Sequence, residues 1–363
     1  MKRVLHFQGR MGLGGAESFM MNLYRKIDRD KFQFDFLIYE DFQDVQDYHS
    51  EIKKMGGRIF VVANPKKNIL KYLIQVNRLL KKEKFEIAHN EVYFGGGINL
   101  WLAKKNGIKQ RIAHSHATED GKSRYFVMDL LRCFLSNLLL SNATDFLAVS
   151  REAGESLFKG HSFKIVHNGI DLSLYERQIS EQIHLRNELE IPLDSFVIGN
   201  IGRLEKQKNQ KYLLDIFVTL LKRQPNSYLV LIGEGSLRRE LEQKILELDI
   251  GKNTKMLGER NDIPDLLSIM NVFVMPSLYE GLPMVGLEAQ AAGLKLVLAD
   301  TISKDIKVTK NVHFISLNRT REQWVENIIQ KPYENIMTEE LQSYDVSYTA
   351  NQMEKIYNHN DEG

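Results

Sequence analysis

Short apolar runs alternate with stretches of helical spacing along almost the whole chain. In the first half, Val4–Gln8, Phe34–Tyr39, Arg58–Val62, Ile87–Asn90, Arg111–Ser115, Phe146–Ser150 and Lys164–His167 have the make-up of strands. Residues 16–27 and 68–83 carry their apolar side chains at helical spacing. The rhythm breaks near Asn168-Gly169-Ile170-Asp171, and residues 173–194 are polar and helix-like. A second series follows, with strands at Phe196–Gly202, Tyr228–Ile232, Thr254–Leu257, Val272–Met275 and Leu296–Ala299, and helices at 208–223 and 236–248. Strands alternating with helices predict parallel sheets covered on both faces. The expected fold class is therefore α/β, as two Rossmann-like doubly wound domains facing a central cleft. Ligands of such sheets bind beyond the carboxyl ends of the strands, which makes the cleft the default site.

Composition sharpens this picture in a few places. A chain of 363 residues is long for one core and fits two domains. The one cysteine, Cys133, excludes an internal disulfide and a cysteine zinc site, and fits a reducing cytoplasm. The N-terminus lacks the pattern of a signal peptide, and no apolar stretch is long enough to predict a transmembrane helix. The net charge of +2 divides unevenly, with +9 over residues 1–170 and −7 over 171–363. The basic half, with clusters such as Lys66-Lys67 and Lys81-Lys82, suits anionic lipid or a phosphorylated acceptor. No recognition motif favours nucleic acid. Residues 125–140 are apolar on most faces, so they read as a buried helix, with a membrane-surface contact as the alternative.

The densest chemistry lies at 279–293. Glu280 and Glu288 stand eight residues apart around Gly281, Pro283 and Gly286, after the apolar run that ends at Pro276-Ser277. The segment reads as strand, glycine loop and helix, with Glu280 in the loop and Glu288 on the helix. Such a loop aims backbone N–H groups and a helix N-terminus at an anion, and carboxylates suit hydroxyls. Together they predict a ligand with phosphate and sugar. A second stretch runs from Gly199 to Asn209. There a strand ends at Gly202, and Arg203 and Lys208 follow within reach of a diphosphate, whose developing charge fixed cations stabilise. The N-terminal loop Gly9–Glu17 can bring backbone close to a phosphate or sugar, and it is neither a dinucleotide fingerprint nor a P-loop. His114 and His116 form a His-x-His pair at a strand end, with no Asp, Glu or Cys partner evident nearby.

These motifs resemble, in order, those of the retaining GT-B glycosyltransferases of family four (glycosyl transferases group 1), bacterial capsule and exopolysaccharide type. The resemblance implies an N-terminal acceptor-side domain at 1–170, a donor-binding domain at 171–344, and a C-terminal helix at about 345–363 packed back onto the first. It implies a metal-independent, retaining hexosyltransferase. The donor would be a nucleoside-diphosphate sugar, with UDP favoured and the nucleotide-sugar a substrate rather than a cofactor. The acceptor would be a glycan or a lipid-diphosphate-linked sugar, and the location the cytoplasm with peripheral contact at the inner membrane. By resemblance Glu280 binds sugar hydroxyls, Glu288 the ribose, Arg203 and Lys208 the leaving diphosphate, and His116 the sugar, with His114 the second choice. Gly14, Gly15, Gly202, Gly233, Arg260, Gly281, Leu282, Pro283, Met284 and Val285 complete the implied donor site. Two other readings remain open: a UDP-sugar epimerase of the same fold, and a non-catalytic nucleotide-sugar-binding subunit.

Overall fold

The computed structural model describes residues 1–12, 15–116, 126–175, 179–333 and 337–358. In chain order the strands are β1 (Lys2–Gly9), β2 (Phe32–Tyr39), β3 (Arg58–Val62), β4 (Ile87–Asn90), β5 (Gln110–Ser115), β6 (Asp145–Ala148), β7 (Lys164–Ile165), β8 (Phe196–Ile201), β9 (Ser227–Ile232), β10 (Thr254–Met256), β11 (Val272–Met275), β12 (Lys295–Ala299) and β13 (Val312–Ile315). The α-helices are α1 (Gly15–Lys26), α2 (His49–Lys54), α3 (Ile69–Lys82), α4 (Gly96–Lys105), α5 (Phe126–Asn142), α6 (Arg151–Phe158), α7 (Ile179–Glu188), α8 (Gln210–Arg223), α9 (Arg238–Glu247), α10 (Ile263–Ser268), α11 (Met284–Ala291), α12 (Arg321–Ile329), α13 (Glu339–Gln342) and α14 (Val346–Asn358).

The chain divides into two compact units, one of Met1–Gly169 with Val346–Gly363 and one of Ile170–Asp345. In the first, the strand order is β3-β2-β1-β4-β5-β6-β7; in the second it is β10-β9-β8-β11-β12-β13. The strand pairs are parallel in both sheets. Parallel sheets need helices on both faces, so their central strands are buried on both sides. The short runs Val272–Met275 and Lys295–Ala299 are buried at every position. Each unit consequently has two cores, one per sheet face. The first unit's α14 supplies Met353, Ile356 and Tyr357 to the core that also holds Phe19 of α1 and Phe34 and Phe36 of β2.

Several sequence-based boundaries shift for identifiable reasons. The helix expected over 208–223 begins at Gln210, after a single 3-10 turn over Lys206–Lys208. Between them Asn209 adopts a left-handed backbone (φ 54°), which asparagine tolerates better than most residues, and its side-chain amide donates to the Pro276 carbonyl. The strand expected over 164–167 is shorter, at Lys164–Ile165, on the sheet edge. Helix α4 has no counterpart in the sequence reading, since Gly95-Gly96-Gly97 looks like a breaker. A Cβ on Gly97 would lie 2.4 Å from the Leu135 carbonyl oxygen, so glycine here allows α4 and α5 to cross closely.

The expectation that residues 125–140 form a buried helix is overturned. Helix α5 buries Leu135 and Leu139 but exposes Met128, Leu130, Leu131 and Phe134, the last at 63%. Among the described residues no helix is long and apolar enough to cross a membrane.

The chain's two tryptophans fall one in each unit, Trp101 on α4 and Trp324 on α12. Met353 is fully buried in the first unit's core. Met353→Ala should cost about 2–5 kcal/mol there. With Trp324 changed to Phe, urea unfolding followed through Trp101 should shift to lower midpoint. An unchanged Trp101 transition would contradict the assignment of α14 to the first unit.

Candidate functional site

The second unit's predicted residues converge at the carboxyl ends of its central strands. Gly202 follows β8, Gly233 follows β9, and Gly258 follows β10. The Gly233 amide donates to the Gly258 carbonyl at 2.7 Å, and Gly202 donates to Ile232 at 2.9 Å. Gly233 has φ 131°, and a Cβ there would stand 2.2 Å from the Gly202 carbonyl oxygen, so the loops nest only with glycine. The loop after β8 is also stitched to the loop after β11: Leu278 donates to the Gln207 carbonyl at 2.8 Å, and the Gln207 amide donates to the Tyr279 carbonyl at 2.9 Å.

That stitching joins two motifs far apart in sequence. Lys208 Nζ lies 2.5 Å from Glu280 Oε1, both side chains being largely buried. The contact is an ion pair that neutralises both groups. Glu280 itself is fixed by a bridge to Ile302 and by its carbonyl accepting from Ser303. Gly281 is exposed, with open space where a Cβ would be. Pro283 is buried and stands at the N-cap of α11; Leu282, Met284 and Val285 are half-buried. The first amides of α11 have no intrahelical acceptor, the geometry an anion uses. Arg203 is exposed and has no ion pair among the described residues, whereas Arg260 is engaged with Asp262 through both its Nε and one terminal nitrogen.

Glu288 sits on α11, half-buried, with its carboxyl enclosed. Burial pushes its pKa up to about 7, against a smaller lowering by a hydrogen bond from Tyr175. At neutral pH this carboxyl is therefore poised between its neutral form, which donates and accepts, and its charged form, which only accepts.

The first unit places its predicted residues differently. Gly15 opens α1 with open space around it, and Gly14 lies outside the described residues. His116 follows β5 directly and retains slight exposure, 11% of its side chain. The expectation that His114 and His116 lack an acidic partner is wrong. Glu91, one residue past β4, brings Oε2 to 2.5 Å from His116 Nε2 and 3.6 Å from His114 Nδ1. Its Oε1 lies 3.3 Å from His6 Nδ1 and 3.2 Å from His89 Nε2. Because β4 and β5 are neighbours in the sheet, residues 25 apart become adjacent. The available signal was Glu91 directly after the short strand Ile87–Asn90, the position where doubly wound sheets carry site residues. Burial lowers the pKa of His6 and His114 and takes His89 to about 3, so these imidazoles are neutral. Burial would raise the Glu91 carboxyl, but hydrogen bonds from His116 and His6 outweigh it and hold it well below the usual carboxylate range.

Glu288 yields a pH prediction. Between about 4.5 and 7 the folded chain holds a proton that the unfolded chain has released, so this group's contribution to stability falls as pH rises through that window. Glu288→Gln should remove that slope. The variant's unfolding free energy relative to wild type should rise by up to about 3 kcal/mol between pH 5 and pH 8, measured by denaturant titration. A difference independent of pH would show that the carboxyl titrates normally.

The motif order agrees with comparisons to known proteins. Residues 13–174 match the family model described as Glycosyltransferase Family 4, and residues 181–330 that of Glycosyl transferases group 1. The chain is 33% identical over 98% of its length to EpsF of Bacillus subtilis, a protein with a provisional glycosyltransferase assignment, and covers 96% of it. It is 27% identical to an Escherichia coli UDP-Gal:α-D-GlcNAc-diphosphoundecaprenol α-1,3-galactosyltransferase, covering 82% of this chain and 79% of that one. Against the Staphylococcus aureus capsular polysaccharide biosynthesis glycosyltransferase CapH it is 24% identical, covering 98% and 99%. Among solved structures, Anabaena HepE in complex with UDP superposes with a TM-score of 0.79 at 20% identity, over 98% of this chain and 99% of that one, which shows the GT-B fold. The chain belongs to the family 4 glycosyltransferases, the glycosyl transferases group 1.

Proposed function

We propose that the protein is a retaining, metal-independent transferase that moves a hexose from a UDP-sugar to a glycan or lipid-diphosphate-linked acceptor in capsule or exopolysaccharide assembly. The observation that carries this reading is the convergence of Lys208 and Glu280, 72 residues apart in sequence, beside the open Gly281 loop and the start of α11. A cation and a hydroxyl acceptor side by side match the junction between diphosphate and sugar. Relatives supply the chemical class: HepE was crystallised with UDP, and the E. coli enzyme is named for a UDP-sugar and a diphosphoundecaprenol-linked acceptor.

In this reading the bond from the sugar's anomeric carbon to the β-phosphate oxygen breaks as the acceptor oxygen bonds to the same face. The acceptor's proton passes to the leaving phosphate. Lys208 and Arg203 stabilise the charge on that diphosphate, which is the contribution a divalent ion would otherwise make. Glu280 holds sugar hydroxyls, Glu288 the ribose and His116 the sugar. Gly202, Gly233 and the backbone from Gly281 to Val285 approach the nucleotide-sugar, and the loop at Arg260 brackets the base. No cofactor takes part, since the nucleotide-sugar is consumed.

We also assign the protein to the inner face of the cytoplasmic membrane as a peripheral protein. The exposed Met128, Leu130, Leu131 and Phe134 of α5 suit the interfacial layer, and α5 packs on α4, which exposes Lys104, Lys105 and Trp101. Basic side chains beside apolar ones fit an anionic lipid surface.

The donor site is tested by thermal shift and turnover. UDP at a hundredfold excess over its dissociation constant should stabilise the protein by about 2.7 kcal/mol, with and without chelator. Lys208→Ala should lower kcat/KM about a hundredfold or more. Glu280→Ala with intact turnover, or no shift with any nucleotide, would remove the donor assignment. For the membrane, Leu130→Ser with Phe134→Ser should abolish co-flotation with phosphatidylglycerol vesicles while leaving the UDP shift unchanged. Undiminished flotation would move the contact elsewhere.

A further inference from the structure

The first unit holds its polar groups in one row. His6 on β1 pairs in register with His89 on β4, and β5 beside β4 carries His114, with His116 just beyond it. Strand side chains alternate between faces, so His89 and Glu91 share a face, as do His114 and His116. Phe19 of α1 packs edge-on against both His114 and His116, and Tyr357 of α14 packs against His89. Four imidazoles thus surround one carboxylate, and only His116 has more than trace exposure.

We propose that Glu91 is a positioning residue for the transfer site: its buried carboxylate accepts a hydrogen bond from His116 Nε2–H, fixes that tautomer and leaves Nδ1 as the ring nitrogen available to the ligand. This deepens the reading in which His116 contacts the sugar, and rests on it.

One placement of protons fits these contacts, with His114 Nε2 left without a partner. Burial keeps the Tyr357 phenol protonated, so its hydroxyl donates to His89 Nδ1 at 2.8 Å. The His89 proton then sits on Nε2, which is 3.2 Å from Glu91 Oε1 and 3.1 Å from His114 Nδ1. His6 Nδ1 donates to the same Oε1 at 3.3 Å. Oε1 is thereby occupied by the inner histidines, and Oε2 serves His116 at 2.5 Å. When His116 is neutral it carries one N–H, so holding that proton at Nε2 leaves Nδ1 as an acceptor. The other three histidines are too buried to meet a ligand; they and Tyr357 orient the carboxylate.

A bound metal is the competing account. Tetrahedral ligands about 2.0–2.1 Å from zinc lie roughly 3.3 Å apart. The His116–Glu91 contact is too short to hold an ion between its atoms, whereas the His6–Glu91 and His89–Glu91 separations are near that figure. Metal content therefore belongs in the test.

The experiment is 15N NMR of the full-length protein labelled at histidine, with transfer kinetics on the same preparations. His116 should appear as the Nε2–H tautomer in wild type. It should become a tautomer mixture in Glu91→Ala, and return to Nε2–H in Glu91→Gln, whose amide carbonyl still accepts. Turnover should fall at least tenfold in the alanine variant, recover in part in the glutamine variant, and leave the donor KM and the UDP thermal shift nearly unchanged. A wild-type His116 in the Nδ1–H form overturns the proposal without any variant having to fold. So does one equivalent of zinc retained by the purified chain. Full activity of His116→Ala, with the tautomer pattern as expected, would instead remove the role of His116 and leave its bond to Glu91 standing.

Discussion

Each central strand of a parallel sheet is buried on both faces, and that constraint decides where this protein can place chemistry. Polar side chains in mid-strand must find partners within the sheet or leave it. The strand ends are the one region where backbone, side chain and solvent meet without that cost. Both units follow it. Gly202, Gly233, Glu280 and, one turn into α11, Glu288 come just beyond strand ends in the second unit, and Glu91 and His116 just beyond strand ends in the first.

The two units solve the remaining electrostatic problem in opposite ways. In the second, opposite charges are brought into contact, as Lys208 with Glu280. In the first, a single carboxylate is buried with no lysine or arginine against it, which ordinarily costs several kcal/mol. Ring N–H donors compensate for it: His6, His89 and His116 surround Glu91 within 3.3 Å. Such a cluster resists rearrangement, because removing any donor leaves a buried charge underprovided. The first arrangement suits a site that must exchange ligands, the second a site that must hold one orientation.

Much of this was legible in the sequence, and the limits are physical. Strand and helix rhythm placed most elements of both sheets because buried parallel strands are short, uniformly apolar and bounded by glycine. The Glu280 loop and the Glu288 helix were readable because local spacing alone fixes them. Glu91 was not, since the spacing that matters is across β4 and β5 rather than along the chain. The helix at 96–105 was hidden by its glycines, of which Gly97 allows close approach to Leu135 and Gly96 to the Asn90 side chain, contacts that exist only in the packed state. For α5, composition could say that the helix was apolar but not which neighbours would cover it, and Leu130 and Phe134 remained uncovered.

The titration behaviour follows from the same division. His6, His89 and His114 are neutral in the folded chain but take up protons when unfolded below about 6.5, so their burial withdraws stability as pH falls. Glu91 adds to this once the pH reaches the ordinary carboxyl range, because its folded form stays charged while the unfolded form protonates. Glu288 has the opposite sign, since it is protonated in the folded chain and withdraws stability as pH rises toward 7. The first unit is therefore weakened by acid and the second, at this one position, by neutrality. In the proposed reading, ribose hydroxyls would add donors to the one that Tyr175 already gives Glu288 and so favour its charged form.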